Sequence, residues 1–476
     1  MENLLIVSLL AVLVGVSQCT VNPYPRFKEY SDGGDTGEPL FLTEYIENGR
    51  IELAKNLSLV NHDDMKWVQS YSGYLTVNKT VGSNMFFWFF PAKLDQAKAP
   101  VVLWMQGGPG ASSLFGLFTE NGPFSVTSEQ ILLPRKYSWH LNHNLLYIDN
   151  PVGTGFSFTN DEAGYAKNEK DVGNNLFEAM RQFFTLFSEL RGNAFYITGE
   201  SYAGKYVPAL GHAIHKHSKS TDPKDKINLQ GLAMGNGLSD PVNQINYGEY
   251  LYQLGLIDTN GLNMFNEHQK KGVDCIHKRD FECAFNVFDE LIDGDVTKTG
   301  SLFKNLTGFT NYFNYLKPGA DESDQSLGVF LQKSDTRKAI HVGNNTFHDL
   351  DSENKVEEHL KNDVMDSVKD WVIELLEHYK VLIYNGQLDI IVAYPLTENY
   401  LKHLKFNAAD DYKTAKRYIW KVDDEIAGYV KHAGNLTEVL VRSAGHMVPA
   451  DQPKWALDLL LRLTTGKGFF EKSSLV

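Results

Sequence analysis

Ser201 lies in Gly199-Glu200-Ser201-Tyr202-Ala203-Gly204-Lys205-Tyr206-Val207-Pro208, after the β-type run Ala194 to Thr198 and before a helix-forming stretch, Ala209 to His217. A serine between small residues at a strand-to-helix turn has the layout of a nucleophile elbow. Small residues are needed because the backbone there is strained and closely approached by the neighbouring strand and helix. The turn lifts the hydroxyl out of the sheet edge and sets a helix N-terminus beneath it, where developing negative charge is favoured. The usual final glycine of G-x-S-x-G is Ala203 here. Alone, the pentapeptide describes an ordinary turn with a solvated serine equally well, so its meaning depends on what accompanies it.

Upstream, the buried-strand run Val101 to Met105 opens directly into Gln106-Gly107-Gly108-Pro109-Gly110-Ala111-Ser112-Ser113. Glycines let backbone N–H groups approach a bound oxygen that a Cβ would keep away. In hydrolases built around such an elbow, one oxyanion donor comes from this turn and the other from the residue after the nucleophile, which assigns the amides of Gly108 and Tyr202. Each well-aimed donor contributes about 3 kcal/mol to the transition state. A phosphate cradle would need a lysine-serine pair after the glycines, and none follows. Acid and base are expected downstream in the order Asp, His. Asp389 follows the run Val381 to Tyr384, and His446 follows the run Val439 to Arg442, in Ser443-Ala444-Gly445-His446-Met447-Val448-Pro449. Neutral His446 can take the Ser201 proton, with ionised Asp389 fixing its tautomer. Either residue alone would be assigned a structural role; the order of three strand-end motifs reverses that preference.

These motifs need a frame of buried strands. Apolar, β-branched or aromatic runs recur at Tyr71 to Val77, Met85 to Phe90, Val101 to Met105, Leu145 to Asp149, Phe195 to Thr198, Gly231 to Gly235, Val381 to Tyr384 and Val439 to Arg442. Helical candidates such as Lys167 to Leu190 and Asp366 to His378 lie between them. That alternation predicts an α/β chain with a mostly parallel sheet and helices on both faces. The stretch from about Pro241 to Ser334 is more polar, holds Cys275 and Cys283, and lacks buried-strand runs. It reads as an insertion over the active edge. The expected organisation is a leader over 1–19, an N-terminal segment over 20–70, core over 71–241, a cap insertion over 242–334 and core again over 335–476.

The apolar run Leu4 to Val16, ending in Ser17-Gln18-Cys19, fits a cleaved secretory signal, a route that leads to secretion or to the lysosome. Later apolar runs are too short to span a bilayer. A formal charge of −14 over 476 residues argues against nucleic acid and against a polybasic membrane surface. In an oxidising compartment Cys275 and Cys283 are an even pair, whose bridge would close a short loop and contribute roughly 2–3 kcal/mol. Sequons at Asn56, Asn78, Asn305, Asn344 and Asn435 are candidate glycan sites.

With these residues in place, the chain resembles the serine carboxypeptidases from about Tyr71 to its end. The matching segments are Trp104 to Ser113, Asp149-Asn150-Pro151-Val152-Gly153-Thr154-Gly155-Phe156-Ser157, the elbow, Tyr384 to Asp389, and Gly445 to Pro449. Asn84 to Ala92 and Lys380 to Val392 look most like the vitellogenic carboxypeptidase-like branch, insect venom members included. The resemblance implies an α/β-hydrolase fold with a helical cap and release of single residues from peptide C-termini. It also implies no cofactor or metal, and either a monomer or a homodimer. It assigns Glu200, Glu120, the Gln106 amide and the backbone N–H of Gly107 to the substrate's terminal carboxylate. Two close carboxyls cannot both ionise cheaply, so one keeps a proton at low pH and donates to that carboxylate. Gln106 stands where many members have asparagine, and Ala111 where a cysteine is frequent. His212, His215 and His217 share one predicted helix without a carboxylate beside them and read as a partly exposed face, not a zinc site. Asp351 to Glu358 reads as a solvated loop or helix start. Phe86 to Phe90 reads as a core strand. Two rival readings keep the fold: an acyltransferase using ester donors, and a non-enzymatic glycoprotein with a dead elbow.

Overall fold

Val101, Leu103 and Met105 join one hydrophobic layer while Val102 and Trp104 join another. This is the two-residue period of a strand covered on both faces. The same alternation runs through Met85, Phe87 and Phe89 against Phe86, Trp88 and Phe90, so the aromatic run is a core strand. A computed structural model of the chain describes Tyr24 and residues 27–294, 296, 300–319, 325–349 and 355–469. The leader read at 1–19, and residues 351–354 of the acidic run, lie outside the described residues; the rest of that run begins the helix Lys355–Val364.

Ten strands of the described residues form one sheet: β1 (Tyr71–Asn78), β2 (Ser83–Phe90), β3 (Val101–Met105), β4 (Asn144–Ile148), β5 (Phe195–Glu200), β6 (Leu229–Gly235), β7 (Lys380–Gly386), β8 (Tyr418–Val422), β9 (Glu425–Ala433) and β10 (Leu436–Val441). Their order is β1-β2-β4-β3-β5-β6-β7-β10-β9-β8. The six from β4 to β10 are parallel to one another, and both edges are antiparallel. Parallel neighbours need crossovers, and the helices supply them. One spans Glu169–Leu186, started by Asn168, whose side chain accepts from the amides of Lys170 and Asp171. Another, Ala203–His217, packs beside it. On the opposite face lies Pro453–Thr465, begun by a proline and ended by Gly466 at φ 72°.

The antiparallel pair β8 and β9 was not expected from the sequence. Its turn is Asp423-Asp424, both at positive φ, a two-residue hairpin made without the Asn-Gly or Asp-Gly pair that usually signals one. Between β6 and β7 the chain adds no strand to the sheet among the described residues. It forms helices instead, including Tyr247–Gln253, Thr259–His277, Phe281–Phe288 and Ser326–Gln332. A disulfide between Cys275 and Cys283 ties the end of the second to the start of the third.

Candidate functional site

Ser201 follows β5 with φ 64°, a left-handed conformation that costs a non-glycine residue about 1–3 kcal/mol. The surrounding backbone holds it there. Its N–H donates to Gly235 O at 2.9 Å, and its carbonyl accepts from Gly204 N at 2.9 Å and Leu238 N at 3.1 Å. The turn leaves no room at its back. A Cβ on Gly107 would lie 2.5 Å from Tyr202 N and 2.7 Å from Ser201 Cβ. The glycine turn after β3 is thus pressed against the elbow, and Gly108, Ser201 and Tyr202 face one cavity. Ala203, the departure from the usual motif, is fully buried and fits the turn.

β7 and β10 run beside each other, so the loops after them meet at the same sheet edge. There His446 Nδ1 lies 2.9 Å from Asp389 Oδ2. Asp389 Oδ2 also accepts from Asn236 Nδ2 at 2.7 Å and Val392 N at 3.2 Å. A carboxylate oxygen that already takes two N–H donors accepts here too, so Nδ1 is the donor to Asp389. Nε2 is buried without a hydrogen bond to the described residues. Phe313 stacks on the imidazole at 4.4 Å and 11°, and its carbonyl accepts the His446 N–H at 2.7 Å. Asp451 Oδ2 accepts from Gly445 N at 2.7 Å and pins the loop. Asn236, Phe313 and Asp451 escaped the sequence reading. Only Asn236, just past the end of β6, carried the strand-end signal that could have found it.

Glu200 and Glu120 are both fully buried beside Gln106. Trp104 Nε1 donates to Gln106 Oε1 at 3.0 Å, which turns Nε2 toward Glu200 Oε1 at 2.7 Å. Burial, then the neighbouring Glu120, pushes the Glu200 carboxyl well above its ordinary range. Burial also lifts Glu120 to about 7, against the pull of Glu200 and Gln106. The Glu120 carboxyl interacts with that of Glu200 and with the Gln106 side chain. Glu120 comes from the π-helical turn Leu117–Asn121, a wide turn that recurs at functional sites.

Beneath the elbow helix lies a second acidic group. Lys205 Nζ meets Asp363 Oδ2 at 2.5 Å, and the Tyr202 hydroxyl donates to the same oxygen at 2.9 Å. Buried Glu169 adjoins them, its backbone N–H donating to Asp363 Oδ1 at 3.2 Å. The cavity over Ser201 is walled by Leu238, Phe285, Phe288, Tyr312 and Ile391, so helices between β6 and β7 give it an apolar side. Elsewhere, His212 does have a carboxylate partner: Glu374, from another helix, lies 2.6 Å away. Among the described residues no group of three His, Cys, Asp or Glu is placed to hold a metal. Asn56, Asn78, Asn305, Asn344 and Asn435 are all exposed.

The sheet order and the strand-end serine, histidine and aspartate define the chain as an α/β-hydrolase. In agreement, the fold matches a prohormone-processing carboxypeptidase, Kex1 of Saccharomyces cerevisiae, with a TM-score of 0.73 at 24% identity over 87% of this chain and 96% of that one. The serine carboxypeptidase family model, peptidase S10, matches residues 62–466. The chain is 58% identical to the venom serine carboxypeptidase of Apis mellifera over 94% of its own length and 96% of the relative's. It is 52% identical to the vitellogenic carboxypeptidase of Aedes aegypti over 93% and 94%. The chain belongs to the serine carboxypeptidase family, and its enzyme class is that of a serine-type carboxypeptidase.

Proposed function

We propose that the enzyme releases single C-terminal residues through an acyl-enzyme on Ser201, most readily at acidic pH. The observation that carries this reading is the fully buried carboxyl pair Glu120–Glu200 held by Gln106 beside the nucleophile. A general esterase has no use for two acids there. A peptide's terminal carboxylate does, because a protonated carboxyl donates to it. Gln106 Nε2 and the Gly107 N–H add donors. Ser201 Oγ attacks the scissile carbonyl carbon as His446 Nε2 takes its proton, and Asp389 stabilises the imidazolium. The amides of Gly108 and Tyr202 hold the oxyanion. The C–N bond then breaks, and the proton passes from His446 to the departing amino acid. Water, activated by the same imidazole, hydrolyses the ester.

The helices over 242–334 act as the cap, their apolar residues lining the side of the cleft that receives the peptide. Secretion is supported by the leader read at 1–19 and by the venom and vitellogenic names of the relatives. Exposed sequons fit glycan attachment on that route. The test is hydrolysis of a blocked dipeptide and its C-terminally amidated twin from acidic to neutral pH, with Ser201→Ala alongside. The free acid is expected to be cleaved best at low pH and Ser201→Ala to be inert. Equal cleavage of the amide would overturn the carboxylate clamp; turnover by pure Ser201→Ala would overturn the acyl-enzyme.

A further inference from the structure

Tyr24 has no place in the reaction just described, yet its ring sits in the substrate cleft. It is 7% exposed. It meets Phe115 edge-on at 5.4 Å and Phe313 at 5.1 Å, the latter being the ring stacked on His446. Its hydroxyl accepts from Gln106 Nε2 at 3.3 Å, the donor that also faces Glu200. The same hydroxyl interacts with Ser201, while His446 Nε2 has no hydrogen bond to the described residues. One phenol thus touches the nucleophile and the carboxylate clamp together. With it in place the cavity beside Ser201 measures about 40 Å³. Sites that hold small organic ligands run to about 300–1,000 Å³, and one water takes about 30 Å³. A water fits; a dipeptide end does not.

The chain that follows is held differently. Residues 28–35 are exposed and rest on the surface through polar contacts. Lys28 N donates to Gln325 at 2.9 Å, Tyr30 N to Gln332 at 3.2 Å, and Lys338 Nζ meets Asp35 at 2.6 Å. Exposed contacts of this kind contribute little each. The arm is secured at two points: Phe27 is half-buried beside Phe347 at 6.1 Å with its N–H donating to Asp349 Oδ2 at 2.5 Å, and Leu42 is fully buried with its N–H donating to Tyr74 O at 2.9 Å, beside β1. Before Phe41 the described arm pairs with no strand of the sheet, so the plug can leave without disturbing that sheet.

We propose that Tyr24 is an intramolecular ligand of the substrate cleft: seated between Phe115 and Phe313 it closes the active site, and its withdrawal, or cleavage within the exposed arm, opens it. This inference rests on the assignment of Ser201 and Gln106 given above. It also marks the Phe115–Phe313 slot as one that accepts an aromatic side chain.

The test compares full-length wild type with Tyr24→Ala by two readouts, the rate at which a fluorophosphonate labels Ser201 and kcat/KM on the blocked dipeptide. Labelling is expected to be at least tenfold faster in Tyr24→Ala, with kcat/KM rising in parallel. Equal labelling rates would overturn the plug, whatever the peptide activity. Faster labelling without peptide cleavage by either protein would keep the plug and remove the carboxypeptidase mechanism. Should Tyr24→Ala fail to fold, brief trypsin treatment of wild type at exposed Lys28, verified by mass, replaces it. Labelling that accelerates with the nick supports the closure; labelling unchanged after complete nicking overturns it.

Discussion

On one side of the Ser201 elbow, Glu200 and Glu120 meet around a neutral amide, and neither has an ion-pair partner among the described residues. On the other side, Glu169 and Asp363 meet around Lys205, whose ammonium bonds Asp363 directly. Both groups are buried, and both adjoin the same strand-turn-helix. Burial and Asp363 push Glu169 well above its ordinary range, while Lys205 opposes them. For Glu200, burial and Glu120 act in the same direction and no lysine opposes them. An acidic cluster with a cation inside it is scaffold, its charges answered by the fold. One without a cation bonded to it favours its protonated form, although Arg135 pulls on Glu120 from farther off. In this molecule the first group holds Tyr202 and the elbow helix, and the second adjoins Ser201 through Glu200.

Removing the cation tests that contrast most severely. Lys205→Met leaves Asp363 and Glu169 buried without a counter-charge and should cost about 3–5 kcal/mol, read as a lowered midpoint in urea unfolding. A loss below about 1 kcal/mol would mean that the two clusters do not differ in kind. Asp363→Asn in the same chain should recover part of the loss.

The cleft-side pair should respond to pH rather than to a missing cation. With the carboxyls of Glu120 and Glu200 both raised, a proton is present at acidic pH and lost as pH climbs through about 7. The KM for a free-acid dipeptide should therefore rise about tenfold or more across that range, the worth of one charge-assisted hydrogen bond. Its amidated twin should lack this dependence. Glu200→Gln should flatten the KM profile, since a side-chain amide donates at every pH. Stability follows with the same sign. In the unfolded chain these carboxyls ionise near their ordinary values, so wild type loses stability as pH rises from there through the raised folded values. Glu200→Gln should lose less, seen by comparing thermal midpoints at acidic and neutral pH.

The smallest effect is expected at Tyr202→Phe. The hydroxyl bonds Asp363, whereas the oxyanion role proposed for Tyr202 belongs to its backbone N–H, which any residue retains. Stability should fall by about 1–2 kcal/mol while kcat stays within about threefold. A collapse of kcat at unchanged stability would move Tyr202's side chain from the scaffold into the chemistry.

The parts of the site that sequence exposed are those made by consecutive residues at strand ends. The elbow, the glycine turn, Asp389 and His446 each follow an apolar run, and the backbone alone brings the ends of parallel strands to one edge. Gln106, read from the sequence as a carboxylate-binding amide, lies beside Glu200, but Trp104, which aims it, could not be chosen without the packed turn. The edge hairpin of β8 and β9 was hidden for a local reason. Arg417, Lys421, Asp423 and Asp424 interrupt its apolar residues, and only every other position of β8 near its end is buried.

What the sequence by itself determined is the order and spacing of Ser201, Asp389 and His446, the alternation of buried strands with helices, and the even cysteine pair. Those signals are local, carried by period, turn chemistry and chain order. Only the tertiary structure decided which buried acids are neutralised and which stay unpaired, because Asp363 meets Lys205 across 158 residues. It alone brought Tyr24 to Gln106 across 82. Charge and occupancy in an interior depend on neighbours in space, and no period along the chain encodes them.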